Sequence, residues 1–327
     1  MKIFHTYENC PREFKRAAVA LGNFDGVHLG HQAVVARAKE IAANLGVPSA
    51  VLTFAPHPRR FFRPDDNFFE LTPGIRKERP ISELGVDALF FIEFDKNLAS
   101  MAAKTFVNDV LVDGLGISHV ISGYDFVFGN GRQGNLALLE SLGTQNSFGA
   151  SVVEAVSPHT GSKSPISSTA IRNHIRAGRV GQAANLLGRP WEIEGIVVTG
   201  DQRGREIGFP TANIDPGDYL RPALGVYACW VSDASDQNPD WCQGVVNIGK
   251  RPTFAGEDVT IEAHLFDVDR DLYGKNMRLV LAHYIRPEIK FESMDAIRSQ
   301  IQKDSRGARA ILQGKAPGNI SSIGDDL

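Results

Sequence analysis

Two histidines three residues apart, His28 and His31, stand in the stretch LGNFDGVHLGHQAVV, directly after an apolar run. Imidazole N–H groups can stabilise the extra negative charge that builds up on a phosphoryl group under attack. The glycines of the stretch, Gly22, Gly26 and Gly30, let the backbone approach a phosphate because no Cβ stands in the way. The stretch therefore predicts a nucleotide-phosphate site at a strand-to-helix turn.

Zinc binding and an ordinary surface turn are the alternatives for this pair of histidines. Helical zinc pairs are usually spaced by four with a Glu between them, and no further Cys/His set lies near His28 in the sequence. A helix that begins near His28 directs its free N–H groups and the positive end of its dipole at an anion. Both imidazoles then face the same ligand, because residues three apart share a helical face. These arguments favour the phosphate interpretation.

Alternating strands and helices are predicted around this turn, through the first half of the chain. This alternation predicts a doubly wound parallel α/β sheet with helices on both faces. Ligands of such sheets bind beyond the carboxyl ends of the strands, which is where 22–31 and 53–57 fall. The buried-strand patterns are 16–22, 49–54, 88–94 and 119–123, and the helical patterns are 32–45, 104–111, 136–142 and 170–177.

The pattern changes near residues 185–190, where the sequence predicts a domain boundary. A long helix at 293–312 follows several β-rich runs, and this combination predicts a small antiparallel β-barrel with a C-terminal helix. The expected domains are 1–187 and 188–313, followed by a polar tail at 314–327 that is expected to be disordered. The five runs expected as barrel strands are 191–199, 225–231, 241–248, 259–268 and 276–285.

Composition restricts the functional classes. Apolar residues make up 43% and charged residues 22% of the 327 residues, as in globular proteins with buried cores. The formal net charge of −3 gives no general attraction to nucleic acid or anionic lipid. No apolar run reaches membrane-spanning length, and residues 1–20 lack a signal-peptide core. Because Cys10, Cys229 and Cys242 make no disulfide framework, a cytoplasmic protein is expected. Neither nucleic acid nor a membrane is expected as a partner.

The stretch GNFDGVHLGH resembles the HxGH signature of the nucleotidyltransferase superfamily, and PISSTAIR at 165–172 resembles that superfamily's second nucleotide motif. The hydroxyls of PISSTAIR can cap a helix and its arginine is a planar cation, so both features suit phosphates. The residues of this half that are expected to bind nucleotide are Gly22, Asn23, Asp25, Gly123, Ser167, Ser168, Thr169 and Arg172.

Two further segments narrow the resemblance to the prokaryotic bifunctional riboflavin kinase/FMN adenylyltransferases, also called FAD synthetases. They are TFAPHP at 53–58 and GYDFVFGNGRQG at 123–134. Aromatic side chains there can stack on an isoalloxazine ring, although core packing explains Phe54 and Phe126 equally well. The residues expected to bind flavin are Phe54, His57, Phe62, Asp125, Phe126, Phe128 and Arg309.

The second half carries GREIGFPTANI at 204–214, which resembles the riboflavin kinase signature. Thr211 and Asn213 alternate along a strand and so share a face, and their hard oxygen atoms suit Mg²⁺ together with ATP phosphates. The glycine-rich cationic loop before them, with Gly204 and Arg205, is expected to bind nucleotide.

Glu262 lies in VTIEAHLF, an alternating strand pattern in which Glu262 and His264 share one face. A lone glutamate on a barrel strand is most often a solvent-facing carboxylate. The resemblance implies instead that Glu262 is the general base of the kinase, a role for which a partly desolvated carboxylate is suited.

The resemblance spans about residues 15–312 and implies two activities that use ATP and Mg²⁺. The barrel would phosphorylate riboflavin to FMN, and the first domain would join FMN to AMP to give FAD and pyrophosphate. In that step His28 and His31 would stabilise the α-phosphorus. Riboflavin, FMN and ATP are therefore the expected partners, and the chain is expected to be a monomer or a homo-oligomer.

Two other functions agree less well with the residues of the chain. In a single-activity enzyme one half would have decayed into a scaffold, but chemical residues are present in both halves. A nucleic-acid-binding module would need a basic face and a lysine-rich second motif, which the net charge of −3 and PISSTAIR oppose. The stretch 71–84 departs from the family's helical pattern, because Gly74 and Pro80 would break a helix, while Lys77 can match the family's lysine.

Overall fold

The computed structural model describes residues 1–318 apart from 65, 67–68, 159–163, 201–203, 205–206, 237 and 254–255, with the backbone alone for 251–253 and 256–258. Arg205, which is expected to bind nucleotide, and residues 319–327 of the predicted tail lie outside the described residues. The chain divides into two compact units, Met1–Ser167 and Ser168–Leu327.

The first unit is built on a parallel sheet of six strands. They are β1 (Lys2–Phe4), β2 (Ala18–Leu21), β3 (Ser49–Ala55), β4 (Ala88–Glu93), β5 (His119–Gly123) and β6 (Gly149–Val153). Their order in the sheet is β1–β4–β3–β2–β5–β6, and every pairing is parallel. The four expected strands are confirmed with small shifts at their ends. The edge strands β1 and β6 were missed, because neither is a fully buried run that would give a strong apolar pattern.

Helices cover this sheet on both faces. Alternate residues of β2 belong to different cores, with Val19 and Leu21 in one cluster and Ala18 and Ala20 in the other. This double burial explains why β2 is apolar throughout and confirms the doubly wound architecture. The helices are α1 (Leu29–Leu45), α2 (Pro58–Phe62), α3 (Glu78–Ser82), α4 (Lys96–Ser100), α5 (Ala103–Thr105) and α6 (Leu136–Asn146), and a π-helix (Phe106–Gly114) continues α5.

Helix α1 positions the histidine motif, and its bounds have clear local causes. Its last carbonyl groups are capped by the N–H of Gly46, which adopts a left-handed conformation with φ 64°. His28 is the N-cap residue. The helix therefore begins three residues before the apolar periodicity that predicted it at 32–45.

The segment 71–84 forms two short turns instead of one helix. A 3₁₀ turn covers Gly74–Lys77, with Gly74 at φ 51°, and α3 follows directly. Pro80 lies in the first turn of α3, where its missing N–H breaks no helical hydrogen bond. The expected departure from one continuous helix is observed, but Pro80 lies inside α3 and does not end it.

The second unit is a closed antiparallel barrel in the order β10–β11–β8–β7–β12–β9, where the labels run in chain order. The strands are β7 (Glu192–Val198), β8 (Ala212–Ile214), β9 (Gly225–Asp233), β10 (Cys242–Thr253), β11 (Gly256–Leu265) and β12 (Asn276–Arg286). Helices α7 (Ser168–Arg176) and α8 (Val180–Leu187) precede the barrel, and α9 (Met294–Leu312) follows it. The barrel and its C-terminal helix are confirmed. The expected number of five strands is wrong, because the strand start expected at Thr211 and Asn213 is a sixth barrel strand, β8, of only three residues.

Helices α7 and α8 pack within this second unit. The N–H of Ala223 donates to the carbonyl of Ile175 at 3.2 Å. A Cβ added to Gly178, between the two helices, would lie 3.1 Å from Cδ2 of Tyr284 on β12. The compact unit consequently begins at Ser168, whereas residue 188 remains the predicted boundary between the two activities.

Candidate active sites

The turn at 22–31 links β2 to α1 through residues in the left-handed conformation. Phe24 has φ 49°, Gly26 has φ 86° and Val27 has φ 44°. For the two residues that are not glycine this conformation costs about 1–3 kcal/mol each, and such strain is concentrated at functional sites. The surrounding structure must therefore hold this turn in place.

His28 and His31 stack on each other at the start of α1. Their ring centroids are 3.6 Å apart and their planes differ by 19°. The backbone N–H of His31 donates to Nδ1 of His28 at 3.3 Å, so that in the neutral ring the proton is on Nε2. The structure thus brings the two predicted imidazoles together and makes Nε2–H of His28 a hydrogen-bond donor.

The start of the second nucleotide motif lies beside Gly30 of the first motif, within the same unit. A Cβ added to Gly30 would lie 3.1 Å from Nδ1 of His28 and 3.7 Å from the carbonyl oxygen of Ile166. Ile166 is itself held by its N–H, which donates to the carbonyl of Val156 at 2.8 Å. Ser167, the first hydroxyl of that motif, therefore follows a residue that lies next to the histidine turn.

The other residues of the turn have backbone partners on neighbouring strands. The N–H of Gly22 donates to the carbonyl of Leu52 at 3.2 Å, and the hydroxyl of Thr53 donates to the carbonyl of Asn23 at 3.1 Å. Gly123 lies at the end of β5, and a Cβ added to it would lie 3.6 Å from Oδ1 of Asp125. All three expected nucleotide ligands thus lie at the carboxyl ends of adjacent strands.

Asp25 is buried and ties the turn to the segment that follows α2. Its Oδ1 accepts the N–H groups of Leu71 and Thr72 at 2.9 and 3.0 Å. The preceding residue, Glu70, pairs with the fully buried Lys77, with 3.1 Å between Oε2 and Nζ. Burial raises the pKa of Glu70, and the charge of Lys77 acts in the opposite direction. These contacts place Asp25 in the framework of the turn, and its expected role in nucleotide binding stays a prediction.

The second motif continues as α7 in the second unit. This helix begins at Ser168, two residues before the predicted start at 170, and its first residues include Thr169. Arg172 is buried within the helix, while Thr169 is exposed. The hydroxyl groups and the first N–H groups of α7 have the chemistry for phosphate, and their contact with nucleotide stays a prediction.

The two segments expected to bind flavin meet in one aromatic cluster of the first unit. Phe54 and Phe128 are buried in its core, so they support the cluster, whereas Phe62 is 62% exposed and Phe126 is half-buried. The last two have ring surface for stacking. The centroid distances that define the cluster are Phe61–Phe94 5.4 Å, Phe62–Phe94 5.7 Å, Phe54–Phe94 6.0 Å, Phe54–Phe106 6.3 Å, Phe106–Phe128 5.5 Å and Phe126–Phe128 6.0 Å.

The polar residues expected to bind flavin lie in turns near these rings. His57 is the N-cap of α2, and its Nδ1 accepts the N–H of Arg59 at 3.1 Å. Asp125 is exposed in the turn after β5, where the N–H of Phe126 donates to the carbonyl of Gly123 at 3.1 Å.

On the barrel, Asn213 of β8 lies directly opposite Glu262 of β11. Asn247 of β10 is the partner of Glu262 on the other side. Opposite residues of an antiparallel pair point to the same face with their Cβ atoms about 4.5–5.5 Å apart, so the three polar side chains form a row. The neighbours Ile261 and Ala263 are buried, which puts this polar row on the outer face of the barrel wall.

Two glycines before β8, Gly200 and Gly204, lie close to the two expected metal ligands. A Cβ added to Gly200 would overlap the side-chain amide of Asn213. A Cβ added to Gly204 would overlap the carbonyl of Phe209 and lie 3.5 Å from Cγ2 of Thr211. In the described part of the chain no group of three or more His, Cys, Asp or Glu side chains is arranged for a metal ion. A hydroxyl and an amide oxygen are hard donors that fit Mg²⁺ when phosphates and water supply its other ligands.

Arg309 of α9, which is expected to bind flavin, is fixed at the end of β11. Its Nη1 and Nη2 donate to the two carboxylate oxygens of Asp267 at 2.8 and 3.0 Å, and its guanidinium lies 4.3 Å from the ring centroid of Phe266. These hydrogen bonds lower the pKa of Asp267. The structure thus holds this cation near the strand that carries Glu262.

Sequence reasoning gave no role to Asn247, Gly200 or His264. Asn247 lies in NIGKRPTF, whose alternation indicates a strand but not which residue it faces. The close approach of Gly200 to the side chain of Asn213 joins residues thirteen apart in sequence, which no local pattern encodes. His264 was recognised as sharing a face with Glu262, and only the structure gives its partner.

No helix among the described residues has the length and apolar character needed to span a membrane.

Comparisons with known proteins agree with this two-part architecture. A family model described as FAD synthetase matches residues 10–170, and one described as riboflavin kinase matches residues 187–312. A relative from Pseudomonas fluorescens named bifunctional riboflavin kinase/FMN adenylyltransferase is 38% identical over 317 residues, which is 97% of this chain and 99% of the relative. The protein of the same name from Escherichia coli K12 is 37% identical over 305 residues, or 93% and 95% of the two chains. A crystal structure titled macrolide-efflux protein, from Streptococcus pneumoniae, has a TM-score of 0.81 at 30% identity and covers 94% of this chain and 98% of its own.

Proposed function

The chain belongs to the family of bifunctional riboflavin kinase/FMN adenylyltransferases, and from that premise we propose which residues carry out its two reactions. It phosphorylates riboflavin to FMN and adenylylates FMN to FAD, each time at the expense of ATP. We assign adenylyl transfer to residues 1–187 and the kinase reaction to residues 188–313. The matches at 10–170 and 187–312 support this division.

The stacked pair His28 and His31 carries the assignment of the adenylyltransferase site. An oxygen of the FMN phosphate attacks the α-phosphorus of ATP, the bond to the bridging oxygen breaks, and pyrophosphate leaves. Negative charge grows on the α-phosphoryl oxygens, where imidazole N–H groups stabilise it without a covalent enzyme intermediate. The groups that hold the triphosphate in this proposal are Gly22, Asn23, Asp25, Gly123, Ser167, Ser168, Thr169 and Arg172.

We propose that the flavin of FMN stacks on the accessible rings of Phe62 and Phe126. The buried rings of Phe54 and Phe128 belong to the same cluster and would hold the rings of Phe62 and Phe126 in position. Stacking suits the flat, weakly polar isoalloxazine system. His57 and Asp125 would contact the polar edges of FMN.

The row Asn213, Glu262 and Asn247 carries the assignment of the kinase site. Glu262 takes the proton of the riboflavin 5′-hydroxyl as its oxygen attacks the γ-phosphorus, and ADP leaves. Thr211 and Asn213 hold Mg²⁺, which when bound neutralises charge on the phosphates. Gly204 and Arg205 would bind the phosphates and Arg309 the flavin.

Product analysis tests the two activities together. The protein is incubated with riboflavin, ATP and Mg²⁺, and the flavins are separated over time. FMN followed by FAD is expected. FMN alone would indicate that the first domain has lost its activity. The absence of both FMN and FAD would contradict the proposed function.

We also propose that the protein acts in the cytoplasm on small molecules, as a monomer or a homo-oligomer. Its three cysteines are free, with Cys10 and Cys229 buried, as suits a reducing compartment that supplies ATP. Gel filtration with light scattering decides between the oligomeric states.

Replacing Asn213 by alanine is expected to raise both the Mg²⁺ requirement and the KM for MgATP of the kinase. The expected loss in kcat/KM is about 10- to 100-fold, because a lost ligand weakens productive binding. Adenylylation of supplied FMN by the same protein is the control. A Mg²⁺ titration that coincides with wild type would remove Asn213 from the metal site.

The fragment Ser168–Leu327 is expected to fold and to make FMN but not FAD, because the barrel contains its own base, metal ligands and phosphate loop. A matched fragment that starts at 188 lacks α7 and α8 and should unfold at lower temperature, since Val180, Ala184 and Leu187 are buried. Melting curves and FMN formation measure both effects. A folded longer fragment without kinase activity would show that the first domain completes the site.

A further inference from the structure

His264 is bound to the strand that carries the expected metal ligands. Its Nδ1 lies 2.9 Å from the carbonyl oxygen of Pro210, directly before Thr211. The rings of Phe209 and Phe266 meet the imidazole nearly edge to face, at centroid distances of 5.3 and 5.9 Å. The side chain of His264 is thus held on three sides, two residues after Glu262 on the same face of β11.

This contact lies directly beyond the backbone pairing of β8 with β11. Strand β8 pairs with β11 at Asn213 with Glu262 and at Ala212 with Ala263. Extending the register by one residue puts Thr211 opposite His264. One residue further lies Pro210, which has no N–H but keeps a carbonyl that can accept a hydrogen bond. The imidazole of His264 is the partner of that carbonyl, which adds a side-chain hydrogen bond directly before this three-residue strand.

The chemistry of the contact assigns the proton on the ring. A carbonyl oxygen only accepts, so Nδ1 of His264 must donate. In the neutral imidazole this leaves Nε2 as an acceptor, and in the protonated ring both nitrogens donate.

We propose that His264 is a positioning residue of the kinase site. It holds Pro210, and through it Thr211, in register with Glu262, so that metal ligand and base keep a fixed separation. The inference rests on the proposed function, in which Thr211 and Asn213 hold Mg²⁺ and Glu262 is the base. Nothing in it requires His264 to touch substrate or to exchange a proton with it.

Two amide substitutions separate positioning from the alternatives. His264→Asn puts an N–H donor close to the place of Nδ1, whereas His264→Gln puts its donor near the place of Nε2. Relative to wild type, we expect His264→Gln and His264→Ala to lose about 10- to 100-fold in kinase kcat/KM for MgATP, as a small misplacement of reacting groups can cost. His264→Asn should stay within about threefold of wild type.

The pH profile and the second activity complete the test. For His264→Asn the kinase kcat should have the wild-type pH dependence over about pH 5–9, a range that includes the ordinary titration of an imidazole. Adenylylation of supplied FMN should be unchanged in all three variants, and a melting curve that matches wild type confirms that the barrel of each variant is folded. If His264→Ala does not fold, the comparison of kinase activity between His264→Asn and His264→Gln still tests the proposal.

Three results would overturn the inference. Equal kinase activity of the Asn and Gln variants would show that the Nδ1 contact does not matter. Loss of activity in His264→Asn together with a changed pH profile would make His264 a proton-transfer group instead. Wild-type activity of His264→Ala would leave it without a role. Failure of the proposed function is distinct, because the wild-type protein itself would then make no FMN.

Discussion

His28→Ala is expected to abolish FAD formation while riboflavin phosphorylation continues at the wild-type rate. Removing one donor to a developing oxyanion typically costs about 10²- to 10³-fold in kcat. The alanine also removes the N-cap acceptor of α1, since the N–H of His31 loses its partner at Nδ1. Initial rates of FMN adenylylation and of riboflavin phosphorylation, each with its own flavin supplied, measure the two effects separately.

His28→Asn is the matched control, because asparagine is a good N-cap residue but lacks the Nε2–H donor. Its melting temperature should stay near wild type while adenylylation is lost as in His28→Ala. If His28→Asn adenylylates FMN as fast as wild type, the contribution of His28 is its cap and not its donor. Comparable loss of both activities in a folded His28→Ala would contradict the assignment of this site to one reaction.

Glu262→Gln is expected to lower the kinase kcat by about 10²- to 10⁴-fold, the range that general-base catalysis typically contributes. Glutamine keeps the size and hydrogen bonding of the side chain but accepts no proton at neutral pH. The apparent affinity for MgATP should change little, in contrast to Asn213→Ala. The measurement is kcat and KM over about pH 6–9.

Glu292→Gln makes the same chemical change at an exposed position before α9 and should leave both activities unchanged. Adenylylation of supplied FMN by Glu262→Gln is the second control. A kinase rate of Glu262→Gln within about threefold of wild type at every pH would remove Glu262 from the base role. It would then be a carboxylate on the outer face of the barrel.

The elements that position the histidine motif could be predicted from sequence for physical reasons. Strands such as β3 and β5 are buried on both faces, so their apolar runs end where the strands end. The end of α1 was visible because Gly46 takes the left-handed conformation that closes a helix. The short strand β8 was expected only as a strand start at Thr211 and Asn213 and was not among the five barrel runs, because three residues give too short a pattern to define a strand.

The contacts within each site were harder to predict than the elements. Asp25 was expected at the nucleotide, and its hydrogen bonds to Leu71 and Thr72 join residues far apart in sequence. The register that puts Asn213 opposite Glu262 depends on which strands pair, which alternation alone does not encode. Phe54 and Phe128 were expected to bind flavin, but both rings are buried in the core. The sequence could not separate the two roles, because aromatic residues serve packing and stacking equally well.

Complementation between two variants that each lack one activity tests the central claim that two separate sites act in sequence. His28→Ala and Glu262→Gln are each incubated with riboflavin, ATP and Mg²⁺, separately and as an equimolar mixture, and FAD is measured. His28→Ala alone should accumulate FMN, Glu262→Gln alone should form little of either product, and the mixture should form FAD from the released FMN. If His28→Ala makes no FMN, or if folded Glu262→Gln cannot adenylylate FMN that is supplied to it, the two reactions do not belong to independent sites and the account is contradicted.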